Sequence, residues 1–325
     1  MDENQPNPPA DSAAVPPVEP EAPAVTPGEA ATDGAAPTPP AKPVKPKKAK
    51  KEESWWDTIR FLLWLFLAAV VLRTFLFAPF SIPSASMMPN LLVGDYLFVS
   101  KWSYGYSRYS FPFHPINFDG RLMGGTPERG DIVVFRHPTT GDDWVKRVIG
   151  LPGDTVEVRD GVVILNGQPV PRTQVAPFDL PVSPNSPCPT ERPGIDNYAV
   201  RLTTDANGGQ HCMYPRYRET LPNGRSYEVL DQGLSTPADN FSNGQPITVP
   251  AGHLFVMGDN RDDSLDSRFP NDLPDERARG VGLLPIDNVL GRATIGFWST
   301  DGSAQWLLPW TWFSAARWHR IGQTW

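Results

Sequence analysis

The chain has 325 residues, with 38 Pro, 27 Gly, 11 Trp, 2 Cys and a formal charge of −7. Two cysteines cannot build a four-thiolate zinc site, and mild acidity counts against a general nucleic-acid binder. A single packed unit of full length is excluded too, because 13 of the prolines fall in residues 1–46, a stretch without Trp, Phe or Tyr. Such a stretch buries too little apolar surface to offset its ordering entropy, so residues 1–52 are expected to form a disordered Pro/Ala-rich tail.

The tail ends in a basic block: Lys42, Lys45, Lys47, Lys48, Lys50 and Lys51. Residues 61–72 are then continuously apolar, and after Arg73 and Thr74 the run resumes over residues 75–80. From about Ile59 this is long enough to cross a bilayer. Arg73 sits near one end, where it can snorkel, and Trp55 and Trp56 stand where an interfacial belt would lie. Residues 53–80 are therefore predicted to be one transmembrane anchor helix, with a buried core helix as the competing reading. The lysine block places the N-terminus on the cytoplasmic side and everything after Phe80 outside. About 50 residues precede the apolar run, which is too many for a cleaved signal peptide, so an uncleaved anchor fits better.

Residues 81–325 read as a mainly β domain. Runs at 96–100, 131–136, 145–149, 155–159, 162–165 and 253–257 are rich in Val, Ile, Leu and aromatics and are punctuated by turn residues. Asn166-Gly167 after the 162–165 run is a hairpin signal. Residues 171–248 are rich in Pro, Asn, Gly and Thr and weak in periodicity, so they are predicted to be an inserted cap subdomain of irregular hairpins. Cys188 and Cys212 lie there; in an oxidising compartment they are candidates for a bridge, the alternative being two unpaired thiols. Five of the last twenty residues are tryptophans: Trp306, Trp310, Trp312, Trp318 and Trp325. Edge packing and contact with lipid are both open readings of that segment.

Three segments carry chemistry. The first, Ile82-Pro83-Ser84-Ala85-Ser86-Met87-Met88-Pro89-Asn90, is a turn with two serines, and serine in a turn is usually structural. A nucleophilic serine needs a base. None of the five histidines sits in a recognisable catalytic setting, and Gly-x-Ser-x-Gly is absent. The other base known for serine is a neutral lysine. Lys146 stands in the second segment, an apolar strand-like run Asp143-Trp144-Val145-Lys146-Arg147-Val148-Ile149-Gly150; pattern alone leaves it buried or solvated. The third segment runs from Gly258-Asp259-Asn260-Arg261-Asp262-Asp263-Ser264 through Asp266-Ser267-Arg268. No register of it puts Gly at position six and Glu at position twelve of a calcium loop. No metal or cofactor is expected.

Together and in order, the anchor, Pro83-Ser84-Ala85-Ser86-Met87-Met88-Pro89, Gly94-Asp95, Gly130-Asp131-Ile132-Val133-Val134-Phe135, the Lys146–Asp154 stretch, Gly258-Asp259-Asn260-Arg261-Asp262 and Asp266-Ser267-Arg268 resemble the bacterial type I signal peptidases. The resemblance spans roughly residues 59–168 and 250–294. It implies a signal-peptidase-like catalytic β domain and a serine endopeptidase that removes signal peptides from exported preproteins through an acyl-enzyme. It implies Ser86 as nucleophile and Lys146 as general base. Ser84 would be an oxyanion donor and Ser264 would orient the amine. Asp259, Arg261, Asp266 and Arg268 would brace the site. Ile82, Met87, Trp144 and Val145 are candidate pocket liners for the small residues before the cut. The sequence departs from the family's usual Thr at Asn90, Asn at Asp263 and aromatic-Gly at Phe269-Pro270; an extra carboxylate at Asp263 could raise the Lys146 pKa.

The implied base sets a requirement. At a pKa of ~10.4 the free amine at pH 7 costs about 4.6 kcal/mol, and burial that lowers the pKa to ~8 cuts this to about 1.4 kcal/mol. Lys146 should then point inward. Ser86 follows Phe80 by six residues, about 20 Å of extended chain, so it should lie near the outer surface of a bacterial inner membrane. Exported preproteins, membrane lipid and the export machinery are the expected partners; nucleic acid is not. The rivals are a specialised peptidase for pilus or secretion-system precursors and, from another class, a non-catalytic membrane-tethered binding protein.

Overall fold

The computed structural model describes residues 54–111, 118–190, 199–233, 237–242, 244–305 and 307–325. The tail expected at 1–52, its lysine block and Trp306 lie outside the described residues.

Helix α1 runs Trp55–Val71 and continues through a π-helical turn at Leu72–Leu76. No residue of α1 is buried by the protein. The 22 residues Trp55–Leu76, which hold an 18-residue stretch of mean hydropathy 2.1, are long and apolar enough to cross a membrane. At 1.5 Å per residue they extend about 33 Å, matching a hydrocarbon core of about 30 Å. The helix was expected to reach Phe80; instead Phe77–Ser81 is strand β1, paired in register with β2 (Asp95–Ser100). An apolar run cannot distinguish the last turn of a span from the first strand of a sheet, and here the partner strand decides.

The main sheet adds β3 (Ile132–Arg136) and β4 (Asp143–Gly150). Next in the chain come β5 (Thr155–Arg159), β6 (Val162–Leu165) and β7 (Gln168–Pro169). The inserted region holds β8 (Arg172–Pro181), β9 (Arg201–Thr204), β10 (Gln210–Thr220) and β11 (Ser226–Leu230). The chain closes with β12 (Ile247–Thr248), β13 (His253–Met257), β14 (Leu284–Pro285), β15 (Val289–Ser299) and a short helix α2 (Trp310–Ser314). The main sheet is ordered β1-β2-β15-β3-β4-β13-β14, a second β12-β5-β6-β7, and a third β11-β10-β8 with β9 also on β10. All named pairings are antiparallel. The mainly β fold with one N-terminal apolar helix is thus what the chain adopts.

β3 explains why the main sheet has two covered faces. Ile132 and Val134 enter the core beneath the loop that carries Ser86, while Val133 and Phe135 enter a second core with Val148, Leu254 and Val289. A strand apolar at four successive positions, as at residues 132–135, has both faces covered there. The β6–β7 hairpin turns at Asn166 and Gly167, both at positive φ, as a two-residue loop of this kind requires.

The inserted region is more regular than expected. β8 and β10 are 10 and 11 residues long and pair along nearly their full length. Their register shifts between Tyr214 and Arg216, where Pro215 lies, and Pro177 falls in the matching gap of β8. Proline has no amide to donate, so a bulge is where a paired strand tolerates it. Residues 247–248 do not belong with this sheet; as β12 they pair with β5. Cys188 and Cys212 are disulfide-bonded, with Cα atoms 5.4 Å apart. Cys188 and Cys212 pack with Ala85, Met88, Leu180 and Tyr214, so the staple borders the Ser86 loop.

Candidate active site

The loop at 82–95 is closed on itself by backbone bonds: Ile82 N to Asp95 O (2.8 Å) and Gly94 N to Ile82 O (3.0 Å). Met87 and Leu91 are its fully buried anchors, packed with Leu97 and Val99. Met87 therefore fills the core and does not line the cavity, contrary to expectation. On the loop's other side Asn260 N donates to Ser86 O (3.0 Å) and Asn260 Nδ2 to Ala85 O (3.2 Å). Ser86 is fixed from both sides.

Lys146 projects from β4, on the face shared by Trp144 and Val148 under the two-residue strand period. Its side chain points inward: the residue is 3% exposed, and Nζ lies 2.8 Å from Ser86 Oγ. Nζ also donates to the Val145 carbonyl (3.1 Å) and lies 5.3 Å from the Trp144 ring centroid. Burial pulls its pKa down from 10.5 to about 8, against the carboxylates of Asp266, Asp259 and Asp263, which favour the ammonium. Asp263 is exposed, and its pull on Lys146 is too small to reverse the effect of burial.

Ser84 Oγ is 3.4 Å from Ser86 Oγ and faces solvent. Ser264 behaves differently from its expected role. Its buried hydroxyl makes no hydrogen bond among the described residues, and the Lys146 amine is oriented by the Val145 carbonyl instead. Ser264 nonetheless lines the same cavity of about 570 Å³ as Ser84, Ser86 and Lys146. Of the expected apolar liners, Ile82, Trp144 and Val145 are there; Phe80, Pro83, Val134, Leu265 and Phe269 join them.

The bracing residues form three buried ion pairs. Asp266 accepts Arg268 Nε (2.8 Å) and Nη2 (2.9 Å), and Arg268 Nη2 also donates to Arg261 O (2.6 Å). Burial would raise the Asp266 pKa, but the Arg268 charge and hydrogen bonds hold it below the usual carboxylate range. Arg261 binds Glu219 on β10 through Nη1 (2.8 Å) and Nη2 (2.6 Å), and Tyr227 Oη donates to the same carboxylate (2.9 Å). Burial alone would lower the Arg261 pKa; the Glu219 charge more than reverses this and keeps the guanidinium protonated. Asp259 takes Arg147 Nε and Nη2, each at 2.7 Å.

Three participants escaped the sequence reading. Arg147 adjoins Lys146, so its place in that motif was the available signal. Glu219 and Tyr227 sit in the inserted region with no motif spacing to expose them. The backbone adds Gly258: a Cβ there would lie 2.2 Å from Ser264 Oγ and 2.6 Å from Ser86 O, so only glycine fits between the two serines. A dry amine at hydrogen-bond distance from a fixed hydroxyl can remove the hydroxyl proton and so support acyl transfer.

The family model described as "Signal peptidase, peptidase S26" matches residues 55–298. A signal peptidase I of Rickettsia prowazekii (strain Madrid E) is 35% identical over 238 residues, 71% of this chain and 76% of that protein. A signal peptidase I of Rickettsia akari (strain Hartford) is 34% identical over 256 residues, 77% of this chain and 80% of that protein. Among solved structures, a signal peptidase I from Enterococcus faecalis V583 is 24% identical, with 52% of this chain and 98% of that chain covered at a TM-score of 0.26. On the matched span and these relatives, the chain belongs to the signal peptidase family, peptidase S26.

Proposed function

We propose that Ser86 is the nucleophile and Lys146 the general base with which this membrane-bound serine endopeptidase of signal peptidase I type cleaves signal peptides from exported preproteins. The 2.8 Å separation of Lys146 Nζ and Ser86 Oγ carries the reading. With a pKa of about 8, the free amine at pH 7 costs about 1.4 kcal/mol, within reach of ordinary catalysis. One amine hydrogen donates to Val145 O, which leaves the lone pair to accept the Ser86 proton. Ser86 Oγ attacks the scissile carbonyl, and the ammonium then protonates the leaving amine. Water repeats the cycle on the acyl-enzyme, restoring Ser86 and the neutral Lys146. Ser84, beside Ser86, supplies a hydroxyl to the oxyanion as charge develops.

The apolar walls of Ile82 and Val145 favour substrates with small residues before the cut. The N-terminus lies in the cytoplasm and the β domain on the outer side of the bacterial inner membrane, with the export machinery delivering precursors. Lipid contact is supported by exposed Phe77, Trp102, Leu307, Trp310, Phe313 and Trp318. Trp325 is different: it packs beneath the Ser86 loop.

The test is cleavage of a preprotein by the full-length protein in liposomes. Ser86→Ala and Lys146→Met should each lower turnover by at least about 10³-fold while the protein stays folded. Processing at the wild-type rate by either folded variant refutes the assignment.

A further inference from the structure

We propose that Asn90 is a positioning residue for the Ser86–Lys146 pair and that the C-terminal segment holds it in place; the proposal rests on reading that pair as catalytic. Asn90 lies four residues beyond Ser86 on the same loop. Its side-chain amide donates to Asp259 Oδ2 (2.7 Å) and to the Glu228 carbonyl (2.7 Å). Asp259 is fully buried and is gripped on its other side by Arg147, the residue after Lys146. One carboxylate thus joins the loop of the nucleophile to the strand of the base. Asn90 is the loop's half of that joint. The residue after Asp259 closes the circuit, because Asn260 N holds Ser86 O.

The C-terminal segment fixes the peptide from which the Asn90 side chain projects. The Asn90 carbonyl accepts Arg320 Nη2 (2.8 Å) and Trp325 Nε1 (3.1 Å). Arg320 is itself locked to Asp95 at the end of the loop, through Nε (3.0 and 3.1 Å) and Nη2 (2.6 Å). Two donors on one carbonyl leave the Asn90 backbone little freedom to turn its amide away from Asp259.

The joint has an electrostatic side as well. Lys146 faces Asp259, Asp263 and Asp266, with Arg268, Arg147 and His137 as the nearby cations or titratable base. The Asp259 charge favours the ammonium, and every hydrogen bond donated to that carboxylate weakens its field at Lys146. Removing the Asn90 donor leaves the Asp259 charge less compensated. Lys146 then holds its proton more tightly, and the acid limb of activity moves to higher pH.

The experiment measures kcat, KM and the pH profile of kcat/KM for the full-length protein on a fluorogenic signal-peptide substrate. Asn90→Ala is expected to lower kcat about tenfold, to leave KM within about twofold and to move the acid limb upward, because alignment and proton affinity change while substrate contacts do not. Asn90→Thr, whose hydroxyl can still donate to Asp259, is expected to restore most of kcat. Trp325→Phe keeps the ring and removes the donor, and should move the limb in the same direction by less. An unmoved limb in folded Asn90→Ala, or a loss confined to KM, overturns the proposal. If Asn90→Ala does not fold, an unmoved limb in Trp325→Phe overturns it. Activity that survives Ser86→Ala removes the pair itself, a failure distinct from that of Asn90.

Discussion

Arg261 and Glu219 clasp each other through two hydrogen bonds, with side chains 4% and 1% exposed, and so tie the inserted sheet to the segment that flanks Ser86. Truncating one partner strands a buried charge. Glu219→Ala should cost about 3–5 kcal/mol, whereas replacing both partners by apolar residues of similar volume should cost much less. Urea unfolding followed by tryptophan fluorescence measures both. Equal losses in the single and double variants would contradict the argument.

Lys146 links activity and stability to pH. With Lys146 as the proposed base, cleavage requires the free amine, so kcat/KM should climb with pH and level off above an apparent pKa of about 8. The folded value lies below the unfolded value of 10.5, so the unfolded chain binds the extra proton between them. The burial penalty is therefore full below about pH 8 and is relieved as pH rises toward 10.5. Lys146→Met should abolish cleavage yet raise stability at pH 7, by up to about 3 kcal/mol. Calorimetry showing Lys146→Met less stable than the parent at pH 7 would count against a desolvated amine.

Gly258→Ala should be among the most damaging single-methyl changes in the chain. The new carbon meets the Ser86 carbonyl oxygen, which is backbone and cannot rotate away. Overpacking of this kind costs about 1–3 kcal/mol, and displacement of Ser86 should lower kcat well beyond what the stability loss explains. The comparison is kcat at a temperature where the variant is fully folded; a wild-type value there would rule out the crowding.

The Cys188–Cys212 bridge closes a loop of sequence separation 24. Chain-entropy reasoning gives it about 3 kcal/mol, so the double Cys→Ala variant should unfold at correspondingly lower denaturant. Both sulfurs border the core that holds Ala85 and Met88, so part of the loss should appear as slower turnover before global unfolding. Turnover that tracks the folded fraction alone would confine the bridge to a structural role.

Residues with strong local signals were legible from sequence. The strands at 155–159, 162–165 and 253–257 have the bounds read from their Val, Ile, Leu and aromatic content and the turn residues between them. Ser86 and Lys146, 60 positions apart, were paired by the resemblance of their motifs, not by any spacing rule. What stayed hidden depends on three-dimensional neighbours. Phe77–Ser81 looks like the end of a span until β2 is beside it. Pro177 and Pro215 disguised two long strands, because a proline reads as a breaker unless its bulge is seen. Met87 and Ile82 are both apolar, close in sequence and buried in one core, yet only Ile82 also reaches the cavity wall. Glu219 has no motif at all; it is recognised only by the arginine that it meets.

The apolar helix passes through Leu76 into a paired strand with no slack between them. No unpaired linker separates the span from the sheet. The spacing along the chain between the apolar helix and Ser86 is settled when the first strand zips to the second.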